Sequence, residues 1–272
     1  MRRRELSPGP LVRAHSTRHR PHREHRHRES RREVLDTTPA PSQLRVDVAV
    51  PQKLAILLDS PDVSQQESLE HGWSSTDKSF NIVLKEEDPR VMRRHPIAQS
   101  TDCIRGAQGY SSGLHMWQVI RLLVSLLEYY NLLLCVLKVN WPARQRGTHA
   151  VIGVATSDAP LHAVGYQSLV GNTDKSWGWD LGRLKAFHNN LQVGENYPAG
   201  LSGHTHHGWT VPTAFTMILD MDLGRLGFCV RDKWLGWAMT GLLASAPVFP
   251  IASTVWGHCE VSTTITALPL LR

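Results

Sequence analysis

Cysteine is scarce in this chain: four among 272 residues, Cys103, Cys135, Cys229 and Cys259, with no Cys-x-x-Cys pair. That spacing offers neither a zinc pattern nor a disulfide framework. No Asn-x-Ser/Thr acceptor site occurs, and the opening Met1-Arg-Arg-Arg-Glu5 has no apolar leader core. These absences point to a reducing, cytoplasmic setting. Phenylalanine is also sparse, five against nine tryptophans, a balance that fits a tryptophan-rich β-core or an aromatic surface. Long apolar runs are missing with one exception, Ile120–Val139. It is long enough for a bilayer, but Arg121, Glu128, Asn131 and Lys138 within it oppose a membrane span. A buried or amphipathic helix, or a poorly packing insert, is the reading of that run.

Charge is concentrated at one end. The formal net charge is +6, and residues 1–46 alone hold twelve arginines and five histidines. So little apolar surface cannot offset the entropy of ordering, and a disordered basic tail is expected there. The rest of the chain is close to neutral, so the basicity belongs to a tail rather than to a folded patch.

Catalytic constellations are likewise absent. Gly109-Tyr-Ser-Ser-Gly113 fits the nucleophile pattern G-x-S-x-G, but that motif needs a strand before the serine and a helix after it. Here a loop precedes it and a strand candidate follows, so it reads as a turn. His204-Thr-His-His207 has no carboxylate or cysteine partner at ligand spacing and reads as a solvated loop. Asp220 and Asp222 lack the remaining oxygen ligands of a calcium loop and read as turn formers. Arg94, Arg105, Arg144 and Arg146 could meet phosphate, yet no Gly-rich loop opens a helix near them. No enzyme activity, metal or cofactor is expected.

What is present is a series of short alternating runs separated by Gly, Pro, Asn and Asp. They are Phe80–Leu84, Leu114–Val119, His149–Ala155, Trp177–Asp180, Ala186–His188, Phe215–Met221, Arg225–Val230, Trp234–Met239 and Val255–Ile265. This spacing indicates an all-β antiparallel sandwich. The clearest hairpin is Phe215–Val230, with Asp222 and Gly224 in its turn. Two further runs place rigid or small groups beside backbone that a partner could use. They are Arg94-His-Pro-Ile-Ala-Gln-Ser-Thr-Asp102 and Ser253-Thr-Val-Trp-Gly-His-Cys-Glu260. Both read as rims of one peptide-binding surface.

Those rims carry a family resemblance. The segments are His95–Asp102, Gly109-Tyr110, Gly113-Leu-His115, Trp117, Asn140-Trp-Pro-Ala-Arg-Gln-Arg-Gly-Thr-His-Ala-Val151, Ser176-Trp-Gly-Trp-Asp180, Leu219–Asp222 and Val255–Glu260. Together they resemble the SPRY domain of the SPRY-domain SOCS-box proteins over roughly Pro51 to Ile265. The resemblance implies a bent sandwich of two antiparallel sheets, with a domain over 47–267. It implies a substrate-recognition subunit of a cullin-RING ubiquitin ligase that captures Asp-Ile/Leu-Asn-Asn-Asn type peptides, with inducible nitric oxide synthase among the family's targets. It places the pocket at Arg94, Pro96, Ala98, Thr148, Tyr166, Leu169, Val255, Trp256 and Gly257. In the family a C-terminal SOCS box recruits elongins B and C and a cullin.

Two departures from the family pattern stand out. Residues 120–139 separate Val119 from Asn140 where the family runs straight on. Both an extruded loop and translated non-coding sequence stay open as accounts of that insertion. The chain also stops at Leu268-Pro-Leu-Leu-Arg272, where a SOCS box would begin, so this chain is expected to bind targets without recruiting elongins. The rival reading is a nucleic-acid-associated protein acting through the basic tail, whose mark would be steeply salt-dependent binding lost with residues 1–46.

Overall fold

A computed structural model describes residues 48–52, 54–55, 64–96, 99–111, 134–193, 196–199, 209–231, 233–242 and 246–265. The expected tail (1–46), the strand expected over Leu114–Val119, the His204–His207 run, Ala98 and residues 268–272 lie outside them.

Two antiparallel sheets form the fold, as the alternating runs predict. The first has the order β1 (Trp73–Lys78), β4 (Ser100–Gly106), β14 (Val248–Thr254), β6 (Val151–Thr156), β8 (Ser176–Asp180), β9 (Lys185–His188) and β10 (Leu191–Val193). A short strand, β7 (His162–Val164), pairs with the start of β4. The second has the order β13 (Lys233–Thr240), β12 (Arg225–Val230), β11 (Ala214–Asp220), β5 (Leu134–Asn140), β15 (Glu260–Ile265), β3 (Val91–Arg94) and β2 (Ile82–Leu84). A six-residue helix, α1 (Gln65–Glu70), leads into β1.

One apolar core joins the sheets. Ile104, Ile152, Val154 and Trp179 of the first meet Leu137, Val139, Phe215, Met217, Leu226 and Phe228 of the second. The tryptophan excess is explained here: Trp73, Trp141, Trp177, Trp179, Trp209 and Trp234 are all buried. Burial of an indole requires a partner for its N–H. Trp73 Nε1 donates to Val261 O at 3.0 Å, and Trp179 Nε1 donates to Tyr197 O at 3.2 Å. Leu54 packs separately with Ile218, Cys229 and Trp234.

The predicted hairpin forms with Asp220 opposite Arg225. Asp220 Oδ1 accepts the Leu223 N–H at 3.0 Å and Oδ2 accepts Arg225 Nη2 at 2.7 Å. Turn chemistry therefore accounts for Asp220, as expected.

Three expectations need correction. Phe80–Leu84 is a strand only from Ile82, because Ile82 N bonds back to Ser79 O at 3.0 Å and closes a turn. Val255–Ile265 is a strand only from Glu260. The chain before it, Val248–Thr254, is the strand β14, which Pro250 disguised. Proline is normally kept out of central strands. Here the ladder to β4 starts at Ile251, one residue later, so the proline interrupts no pairing on that side.

The third correction concerns the segment set aside as an insertion, 120–139. Its end is not a helix or a loose insert. Leu134–Asn140 is β5, paired to β11 from Asp220↔Leu134 to Ala214↔Asn140 and to β15 from Ile265↔Leu137 to Ser262↔Asn140. Leu137 and Val139 point into the core, while Lys138 and Asn140 are exposed. A continuous apolar run does not distinguish a buried strand from a helix by periodicity alone. Residues 112–133, including Ser112 and Gly113 of the G-x-S-x-G run, lie outside the described residues. Leu137→Ala, in the middle of β5, is expected to cost about 2–5 kcal/mol of stability, measured by urea unfolding. A change within about 0.5 kcal/mol, as at ordinary surface positions, would contradict this placement.

Candidate functional site

The first rim begins where β3 ends. Arg94 N donates to Cys259 O at 3.0 Å, His258 N donates to Arg94 O at 3.1 Å, and His95 N donates to Asn81 O at 2.9 Å. The chain leaving β3 is thus tied to the loop 255–259 on one side and to the turn before β2 on the other. Gly257 sits directly against Pro96: a Cβ at 257 would stand 2.8 Å from Pro96 Cα and 2.9 Å from Pro96 O. No side chain larger than hydrogen fits that approach without displacement.

The Thr148 loop reaches the same place. Gly147 has φ of +63°, and a Cβ there would stand 3.3 Å from the Trp256 side chain and 3.4 Å from that of Val255. The loop is held by Arg146, whose guanidinium donates to Val211 O, to Trp141 O at 2.7 Å and to Pro212 O at 2.6 Å. Gln145, ending a short 3-10 turn (Ala143–Gln145), accepts the Glu260 N–H on Oε1 at 2.9 Å. Pro96 and the loop 255–259 therefore meet at Gly257, and Gly147, next to Thr148, meets the same loop at Val255 and Trp256.

Tyr166 comes from a different wall, the loop after β7. Thr101 Oγ1 donates to Gly165 O at 2.8 Å and accepts from Gln167 N at 2.9 Å. Gly165 N reaches Gln99 O at 3.0 Å. The Tyr166 loop is clamped to the first residues of β4, with the phenol 56% exposed. Trp256 is 49% exposed, unlike the core tryptophans. The loop 255–259 thus holds the Trp256 indole half in solvent.

Two predicted pocket residues lie beneath this surface rather than on it. Leu169, 6% exposed, packs with Cys103, Val151, Val170 and Ile251. Arg94, expected to contact a peptide directly, is 1% exposed and forms a buried ion pair, Nε to Asp102 Oδ2 at 2.7 Å. Its Nη2 also donates to Ser100 O at 2.9 Å. The guanidinium is surrounded by internal acceptors, which compensate its charge within the protein. Arg105 and Arg146 are equally buried, which removes three of the four arginines considered for phosphate.

Asp102 is the residue the sequence reading missed. Oδ1 accepts from Ser79 Oγ at 2.6 Å, Asn81 Nδ2 at 3.0 Å and His162 Nδ1 at 2.9 Å, and Oδ2 from Arg94 Nε and Ser100 Oγ, both at 2.7 Å. Burial alone would raise its pKa, but the bonds from Ser79, Ser100, His162 and Asn81 outweigh it and hold the carboxyl down at about 2. The available signal was a charged residue inside a run that otherwise reads as a buried strand, since such charges persist only when paired. The thiols of Cys103 and Cys259 are pushed up by burial, to about 12 and about 11, and stay protonated. Among the described residues no group of His, Cys, Asp and Glu could hold a metal, and no helix is long and apolar enough to cross a membrane.

Two consequences can be measured. The Asp102 pKa lies below its unfolded value, so its contribution to stability is full above about pH 4 and fades as pH falls to about 2. Asp102→Ala is expected to cost about 3–5 kcal/mol at pH 7, because it strands the Arg94 charge, and to cost much less near pH 2. An equal cost at both pH values in denaturant titrations would contradict the pairing. Gly257→Ala is expected to destabilise by about 1–3 kcal/mol through overpacking against Pro96; an unchanged melting temperature would show that the contact is not tight.

Comparison with known proteins agrees with this architecture. Residues 135–266 match the SPRY domain family. The protein gustavus of Drosophila melanogaster is 47% identical over 223 residues, which cover 82% of this chain and 72% of that protein. Human SPRY domain-containing SOCS box protein 1 is 45% identical over 79% of this chain and 71% of its own length. Human SPRY domain-containing SOCS box protein 2 is 40% identical, with coverages of 83% and 76%. With this fold, these loops and this identity over most of both chains, the protein belongs to the SPRY domain-containing SOCS box family.

Proposed function

We propose that this chain is a peptide-recognition subunit that works by binding and not by catalysis. Its contact surface is Pro96, Thr148, Tyr166, Val255, Trp256 and Gly257; Ala98, expected beside Pro96, lies outside the described residues. Arg94 and Leu169 support it from below. The observation that carries this reading is the pair of half-exposed aromatic rings, Tyr166 and Trp256, on loops fastened by backbone hydrogen bonds. Rigid aromatic anchors provide large contact area at low entropic cost. The surrounding loop backbone suits a ligand rich in amides, which needs many hydrogen bonds in fixed directions.

The ligand is an exposed Asp-Ile/Leu-Asn-Asn-Asn type segment of a target such as inducible nitric oxide synthase. In a form that carries a SOCS box, elongins B and C and a cullin scaffold would join the target to a ubiquitin ligase for degradation. The cytoplasm is the proposed setting, consistent with buried Cys103 and Cys259, which form no disulfide among the described residues.

Isothermal titration of an Asp-Ile-Asn-Asn-Asn peptide into the chain is expected to show one-to-one binding. Tyr166→Ala and Trp256→Ala should each weaken it by about thirtyfold or more, the scale of an interface hot spot of about 2 kcal/mol, with circular dichroism unchanged. Equal affinity in both variants would refute the surface, and no binding by the unaltered folded chain would refute the ligand.

A further inference from the structure

Thr148 is exposed, and its Oγ1 lies 3.0 Å from Nδ1 of the next residue, His149. The other ring nitrogen, Nε2, lies 3.0 Å from Nη2 of Arg183. A guanidinium has N–H donors only and stays charged. Nε2 must therefore accept, which leaves the proton of a neutral ring on Nδ1. Nδ1–H then donates to Thr148 Oγ1.

Arg183 is well placed to impose that direction. Its Nη1 lies 3.7 Å from Asp180 Oδ2 and 3.4 Å from Ser168 Oγ. Asp180 is fully buried, and its Oδ1 accepts the backbone N–H groups of Gly182 at 3.0 Å and Arg183 at 2.9 Å. Partial burial, and then the nearby Arg183 charge, push the His149 pKa below its ordinary value, with Asp180 opposing. The ring is neutral at neutral pH, as the geometry requires.

The chain of donors thus runs one way, from Arg183 through His149 to Thr148. One of the threonine oxygen's two lone pairs is engaged by His149, and that bond favours the remaining O–H as the donor it offers outward. Hydrogen bonds in series polarise one another, and an O–H at the end of a chain that starts at a cation is a stronger donor.

We propose that Arg183 and His149 are specificity-determining positioning residues of the peptide surface: they orient the Thr148 hydroxyl as a donor, so the ligand group met there is an oxygen acceptor, a carbonyl or a carboxylate. This rests on the reading of Thr148 as part of that surface. The same guanidinium contacts Ser168, between Tyr166 and Leu169, so Arg183 also links the Thr148 loop to the Tyr166 wall.

The test combines nitrogen-15 shifts of the His149 ring with titration of the Asp-Ile-Asn-Asn-Asn peptide into the full chain. The shifts should show the proton on Nδ1 and a bare Nε2. Thr148→Val should weaken binding by about tenfold, the scale of one hydrogen bond, while Thr148→Ser restores it. Arg183→Met should weaken binding by about three- to tenfold alone and add nothing in the Thr148→Val background, the mark of residues acting as one unit. A proton on Nε2 overturns the proposal. So does a full effect of Arg183→Met in the Thr148→Val background, or no effect of Arg183→Met in a protein that Thr148→Val and Trp256→Ala both weaken. If Trp256→Ala binds like the unaltered chain, the surface reading fails instead, and the ring shifts alone decide the relay.

Discussion

The carboxylate of Asp102 is fully buried, and its five donors come from four separate stretches of chain. Ser79 and Asn81 belong to the turn before β2, Arg94 ends β3, Ser100 shares β4 with Asp102, and His162 opens β7. The chain beyond Arg94 becomes the Pro96 rim, and the chain beyond His162 becomes the Tyr166 wall. Both sides of the proposed surface therefore lean on one anion. A buried ion pair contributes little net stability, because desolvation consumes most of the Coulombic gain. Its use here is geometric: any displacement of either rim would leave a charge or a hydroxyl unpaired in the core.

The second constraint is backbone contact at Gly257 and Gly147. Between them the loop 255–259 touches Pro96 on one side and carries Trp256 over the Thr148 loop on the other. In this arrangement Trp256 stays half in solvent, while six other tryptophans are buried. A surface built this way is ordered before a ligand arrives, so binding loses less entropy than it would on a mobile loop. The His149–Arg183 relay extends the same principle from ring positions to the direction of a single hydroxyl.

Much of the sandwich was legible because short strand-forming runs are set apart by Gly, Pro, Asn and Asp turns. β12 matched its predicted limits, and β8, β9, β11 and β13 came within one or two residues. What resisted were positions where pairing overrides local pattern. Pro250 made β14 look like a break, although its strand neighbours tolerate it. Residues 134–139 looked like part of an insert because the family pattern runs from Val119 straight to Asn140, and their apolar stretch gives no period by which to separate strand from helix. The closeness of Pro96, Gly257 and the Gly147 loop was legible through the motifs that carry them, but the surroundings of Arg94 and Leu169 were not. Nothing in Arg94 or Leu169 as letters shows that one neutralises a buried carboxylate and the other fills a gap under β6 and β14. Those roles depend on Asp102 and Val151, which come close only after folding.

The central proposal is that the loop 255–259, with the Pro96 and Thr148 rims it meets and the Tyr166 wall, makes up one peptide-binding face. The most direct measurement is amide chemical-shift mapping on addition of the Asp-Ile-Asn-Asn-Asn peptide. The account predicts saturable shifts at Thr148, Tyr166, Trp256 and Gly257, with the core strands β8 and β12 undisturbed. Shifts confined to residues 1–46, or spread over the far ends of β9 and β13 with Trp256 unmoved, would contradict it.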